Sequence, residues 1–117
     1  MPFYDWSQIE KEQVNSHVTR QVIHVENVTI SKIHLARGAV FPKHSHANEQ
    51  VTLLLQGRVK LTSANDCKIV GAGEVIQMPP NEPHELEALE DTVAFDVFAP
   101  RRDDWIKGSL SVKLSTH

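Results

Sequence analysis

Turn-forming residues recur so often along this chain that no stretch between them has room for a helix crossing from one strand to the next. They fall at Glu26-Asn27, Arg37-Gly38, Gln56-Gly57, Asn65-Asp66, Gly71 to Gly73, Pro79 to Pro83 and Glu90-Asp91. Between them lie short runs rich in Val, Ile, Leu and Thr, such as VTRQVI, VTISKIHL, QVTLLL, RVKLT and TVAFDVFA. β-Branched side chains fit a pleated strand and crowd a helix, so these runs read as strands. Strands joined this tightly run antiparallel, because a parallel connection needs about a dozen residues or more. The fold class is therefore all-β, a sandwich or barrel. The 117 residues suffice for one hydrophobic core and not for two, and no linker or repeat divides them, so 1–117 reads as a single domain. Residues 1–17 stay unassigned: Asp5 and Ser7 are cap-type residues ahead of Ile9 to Val14, but the apolar spacing there is thin for a helix.

Charge narrows the partners. Twelve Lys and Arg against fifteen Asp and Glu leave a net charge of −3, with the basic residues scattered rather than gathered in a block. Nucleic acid and anionic membranes are not the expected partners. The longest apolar run, Val51 to Leu55, falls far short of the roughly 20 residues that span a bilayer. The single cysteine, Cys67, has no partner for an intramolecular disulfide, and the opening MPFYDWSQIEKEQ lacks the apolar core of a signal peptide. The expectation is a cytoplasmic protein.

Histidines carry the chemistry. His44 and His46 lie two apart, so on an extended chain both imidazoles leave the same face and can reach one ion. Continuing that parity puts Gln50, Thr52 and Leu54 on the histidine face and turns Glu49 away, unless a bulge intervenes. Gln50 is then the third ligand, a neutral carbonyl donor that Zn, Ni, Mn or Fe accepts beside imidazoles. His84 follows the rigid turn Pro79-Pro80-Asn81-Glu82-Pro83, which can aim one side chain, and is the fourth. Three imidazoles and an amide leave open positions on an octahedral divalent ion, which suits catalysis better than a closed structural site. The plain alternative is a polar surface pair on a strand. His34 is either a cavity residue or a structurally satisfied one, and His17, His24, His117 and Cys67 carry no functional signal.

Gly38, His44, His46 and Gly57 resemble the first cupin motif, and Gly73, Pro79 and His84 the second. The usual acidic ligand is replaced by Gln50, while Asn81 and Ala88 stand where the second motif has Gly and Asn. Asn tolerates a left-handed turn, so the backbone at 81 survives the exchange. The pairing of HSHANEQ, His44 to Gln50, with DVFAPRRDDW, Asp96 to Trp105, is similar to the KdgF-type cupins of pectin and alginate breakdown. That resemblance implies a jelly-roll (double-stranded β-helix) barrel. It further implies conversion of 4,5-unsaturated monouronates to linear ketonized sugars, with Asp96, Phe98 and Arg102 lining the pocket opposite the metal.

The residues alone leave Asp96 open, since Val93, Phe95 and Val97 form an apolar stripe that, turned inward, would put Asp96 in water. Arg102 suits a carboxylate, which a guanidinium grips with two parallel hydrogen bonds. Arg101, Asp103 and Asp104 read as a solvated charge run. Two rivals share the barrel: a small metal-dependent oxygenase needing iron, and a sugar- or metabolite-binding domain without turnover. The second apolar face of the metal-bearing strand, Val51, Leu53 and Leu55, calls for a cover, and a homodimer is expected.

Overall fold

The structure is a computed structural model and describes residues 1–107; residues 108–117, His117 among them, lie outside it. Among the described residues the strands are β1 (Glu12–Asn15), β2 (Val18–His24), β3 (Thr29–Leu35), β4 (Val40–His44) and β5 (Glu49–Gln56). They continue with β6 (Arg58–Ser63), β7 (Cys67–Gly71), β8 (Val75–Met78), β9 (His84–Ala88) and β10 (Thr92–Ala99), before a short helix α1 (Asp103–Lys107). Every run quoted as a strand forms one, to within a residue, and every turn signal falls between strands or begins on a strand's last residue, as at Gln56 and Gly71. All pairings are antiparallel. They build a six-stranded sheet, β1-β2-β3-β10-β5-β8, and a four-stranded sheet, β4-β9-β6-β7. The core lies between them, with Ile33, Leu35, Leu54 and Ala94 of the larger sheet packed against Phe41, Val59, Val70 and Leu86 of the smaller. No helix among the described residues is long and apolar enough to cross a membrane.

The chain changes sheets at two ends of this barrel, and the ends differ in chemistry. At one end Gly57 links β5 to β6 with φ +91°, and a Cβ there would stand 2.4 Å from the Asp91 carbonyl oxygen, so only glycine fits. Beside it the Arg37 amide donates to Asp91 Oδ1 at 2.8 Å. The other end is built by the 45–48 loop, which carries the chain from β4 to β5, and by Pro79–Pro83, which carries it from β8 to β9. Asn81 has φ 66°, as its tolerance for a left-handed turn requires, and its amide donates to the His46 carbonyl at 2.7 Å. That bond ties the two loops together.

The N-terminal segment resolves as a strand, not a helix. Asp5 does act as a cap, accepting from the Ser7 amide at 2.9 Å, but over a single 3₁₀ turn, Trp6–Gln8, after which β1 joins the sheet edge. Residues 6–9 lie on the outer face of the larger sheet, where Gln21 Nε2 donates to the carbonyls of Trp6 and Ile9 at 2.6 and 2.8 Å. Trp6 stacks on Phe95 there, with ring centroids 5.7 Å apart.

Candidate metal centre

His44, His46 and His84 converge at the end with the two bonded loops, each offering a ligand nitrogen within 4.8 Å of the others. Parity along one continuous strand does not bring them there. β4 ends at His44 and lies in the smaller sheet, His46 sits in the crossing loop, and β5 begins at Glu49 in the larger one. A bulge between Phe41 and His44 adds the extra step that lets both residues of β4 face inward, opposite Leu86 and His84. Without it Lys43 would point at the site.

Three backbone carbonyls set the tautomers. Nδ1 of His44 lies 2.8 Å from the Pro42 oxygen, that of His46 2.9 Å from the Asn48 oxygen, and that of His84 2.9 Å from the Glu82 oxygen. A carbonyl only accepts, so each Nδ1 carries the proton and each neutral ring keeps its lone pair on Nε2. Two of the rings are also made harder to charge. Burial pushes His84 down to about 4 against the opposing Glu82 bond, and burial followed by the Arg102 charge lowers His46. His84 Nε2 is buried with no hydrogen-bond partner.

Gln50 stands beside the three histidines, and its orientation is fixed. Its Nε2 donates to Thr52 Oγ1 at 2.9 Å and to Asp96 Oδ1 at 3.2 Å, while Thr52 donates onward to Asp96 Oδ1 at 2.6 Å. The amide oxygen is thereby turned toward His46 Nε2, 3.0 Å away. Two lone pairs facing each other repel, and a cation held by both removes the repulsion. Neighbouring ligands at right angles on an ion with bonds of about 2.1 Å stand about 3 Å apart, which is this spacing. The donor set therefore fits a divalent metal ion.

The outcome of the parity reading holds even though its route does not: Gln50, Thr52 and Leu54 are buried, and Leu53 and Leu55 are exposed. Glu49 faces outward, where it accepts from Gln77 Nε2 at 2.9 Å.

Asp96 points inward and is 4% exposed, with the Val93, Phe95, Val97 stripe on the outer face. Burial pushes its carboxyl up to about 6, against the pull of the Thr52 and Gln50 hydrogen bonds and of the Arg102 and Arg20 charges. The carboxylate missing from the ligand set thus stands one step behind it, bonded to Gln50. Asp96, Gln50, Thr52, His44 and His84 line one small pocket of about 30 Å³ whose remaining lining is mostly apolar.

Phe98 is fully buried, edge-on to His46 at 5.7 Å, and Arg102 is 3% exposed. The Arg102 guanidinium lies 4.8 Å from the Phe98 ring centre and 4.2 Å from that of Trp105. Asp104 is not merely solvated: its carboxylate takes Nε and Nη2 of Arg102 at 3.1 and 3.0 Å. Arg20 was not singled out in the sequence. It is 5% exposed, paired with Glu12 at 2.8 Å and stacked 4.0 Å from the Trp105 ring centre. Its inward position on β2, in step with Val18, was the available signal. His34 lies on the outer face of β3 between buried Ile33 and Leu35, and Cys67 is exposed, so neither enters the site.

A barrel of two antiparallel sheets with three imidazoles gathered at one end defines the cupin class, and the chain belongs to the cupin domain family, whose profile matches residues 31–98. No curated protein matches it. Among solved structures it is similar to KdgF from Halomonas sp., with 25% identity and a TM-score of 0.82 over 88% of this chain and 98% of that one. An RmlC-like cupin from Shewanella frigidimarina NCIMB 400 gives the same identity and TM-score, over 88% and 94%. Oxalate decarboxylase OxdC of Bacillus subtilis shares the fold at 20% identity and TM-score 0.77, the chain spanning 29% of its length.

Proposed function

We propose that the chain is a metal-dependent enzyme that converts 4,5-unsaturated monouronates to linear ketonized sugars, holding one divalent ion, Ni, Zn, Mn or Fe, through His44, His46, Gln50 and His84. The observation that carries this is Asp96. A buried carboxyl, hydrogen-bonded to Gln50 and lining the same pocket as His44 and His84, with burial raising its pKa, is placed to carry a proton. The likeness to KdgF over nearly the whole of both chains supports the substrate class.

The reaction asks for what this site holds. In an unsaturated uronate the C4=C5 bond belongs to an enol ether whose C5 also bears the carboxylate. Conversion breaks C1–O5, forms the C1 aldehyde and the C5 ketone, and moves one proton from the C1 hydroxyl to C4. The product is an isomer, so no redox cofactor enters. A bound divalent cation supplies Lewis acidity toward the sugar oxygens. Arg102 holds the carboxylate, Phe98 shapes the wall against the ring, and Asp96 carries the proton between C1 oxygen and C4.

The direct test loads the protein separately with each of the four metals and follows the ultraviolet absorbance of unsaturated galacturonate. Loss of absorbance with formation of the linear keto sugar is expected with at least one metal. Unchanged absorbance with all four overturns the reading.

A further inference from the structure

The Arg102 guanidinium is held from every side but one. Its backbone amide donates to Thr29 Oγ1 at 2.9 Å, fixing the root of the side chain. Phe98 and Trp105 fix its plane. Trp105 is steadied in turn by edge contact with Phe98, centroids 5.1 Å apart, and by Arg20, which Glu12 anchors. Asp104 then fixes the rotation within that plane by taking the Nε–Nη2 edge. The Asp104 side chain is 61% exposed and that of Arg102 is 3% exposed, so the acid approaches from solvent. Nη1 is left buried without a hydrogen-bond partner. Phe98 meets both the Arg102 guanidinium, 4.8 Å from its ring centre, and the His46 ring, at 5.7 Å between centroids, so one aromatic ring connects that charge to the histidine cluster.

We propose that Asp104 is a positioning residue: it occupies the side edge of the Arg102 guanidinium so that the end edge, Nη1 with the second Nη2 hydrogen, is presented to the substrate carboxylate. The identity of that carboxylate rests on the uronate reading above. A guanidinium carries five N–H groups in a rigid fork, and a carboxylate on one edge leaves the end edge free for a second bidentate contact. A buried guanidinium without the Asp104 brace would also lose the charge that compensates it, and would swing toward water. The solvated charge run read from RRDD is thus half brace.

Two readouts test this on the full-length, metal-loaded protein. The first is the Arg102 Nε–H resonance, assigned by its loss in Arg102→Lys. It should exchange slowly with solvent in the parent, at least about tenfold faster in Asp104→Ala, and be recovered in Asp104→Glu. The second is kinetic: in Asp104→Ala the KM for unsaturated galacturonate should rise about tenfold while kcat changes less than about threefold, with Asp104→Glu restoring most of the difference. Parental chemical-shift dispersion in Asp104→Ala separates this from loss of fold. A slow Nε–H or a parental KM in Asp104→Ala overturns the proposal. Should the parent convert no uronate, the functional reading falls on that result alone, and the Nε–H exchange still upholds or overturns the brace.

Discussion

Strands β5 and β10 pair side by side in the larger sheet, and their two faces invert the usual order of a protein. The inner face carries Gln50, Thr52, Asp96 and Phe98, all buried, while the outer face carries Val51, Leu53, Phe95 and Val97, half-buried or exposed. Polar groups inside must be hydrogen-bonded to be tolerated, and here they are, in one directed chain from Gln50 through Thr52 to Asp96. Apolar groups outside need a cover. Trp6 supplies it for Phe95, and the row toward β8 has none within the described residues. The inner face is a closed hydrogen-bonded network, and the outer face is open along that row. Each of the following substitutions tests one side of that division.

The largest effect is expected on metal. His46→Ala or His84→Ala should abolish binding or weaken it by several orders of magnitude, Gln50→Ala should weaken it less, and Glu49→Ala should leave it nearly intact. Gln50 and Glu49 are neighbours on opposite faces, so they pose the sharpest contrast. Elemental analysis of protein prepared without chelator reads the result. Metal lost from Glu49→Ala and kept by Gln50→Ala would reverse the two faces and break the comparison.

Asp96→Asn comes next. The change keeps size and the capacity to accept from Thr52, but removes the proton carrier, so turnover should fall about a hundredfold with KM little changed. A rate equal to the parent's would leave Asp96 a structural residue. The same variant has a second consequence, for stability. Burial raises the Asp96 pKa from 3.8 to about 6, so the folded state keeps a proton that the unfolded chain has released within that window. Stability contributed by the protonated form is therefore present below that window, is lost as pH rises through it, and stays lost above about 6. In chelator-treated protein Asp96→Asn should thus be more stable than the parent at pH 7, by about 3 kcal/mol at most, with the gain vanishing near pH 4. Denaturant midpoints at both pH values check it. A variant less stable than the parent at pH 7 would mean that the carboxylate holds the inner face together.

How these faces were legible differs from residue to residue. The strands and turns could be read because β-branched runs and Gly, Pro and Asn punctuation act locally. Asn81 could be read for the same reason, its φ being a property of one residue. The inward turn of Gln50 was foreseen, but from a continuous strand that does not exist, since the bulge in β4 and the sheet change at 45–48 happen to preserve the parity. Asp96 resisted because the alternation in TVAFDVFA shows two faces without saying which is inside; the site's polarity makes the apolar stripe the outer one. Arg20 was missed because its role arises from Trp105, which it meets across 85 positions of sequence, a contact that no local pattern encodes, and Asp104 was read as solvated because RRDD does not say which arginine is buried.

The smallest effect on chemistry, and the clearest on assembly, is expected from the outer face. Leu53 is 36% exposed and Val75 60%, and they pair directly across β5 and β8. Leu55, 51% exposed, extends the row, and β8 is the edge of the larger sheet. An apolar row beside an open edge is costly in water, and a two-fold axis brings such a row against its own copy. We propose that a second copy of this chain is the cover, which agrees with the homodimer expected from the sequence. Light scattering should give twice the chain mass for the parent and a single chain mass for the double variant Leu53→Asp, Val75→Asp. Uronate conversion per chain should stay within about twofold, because no side chain of that row reaches the inner face. A parent that is monomeric at working concentration removes the dimer. A double variant that loses metal along with its partner would show that the two faces are coupled, and that the inner network depends on what lies across the sheet.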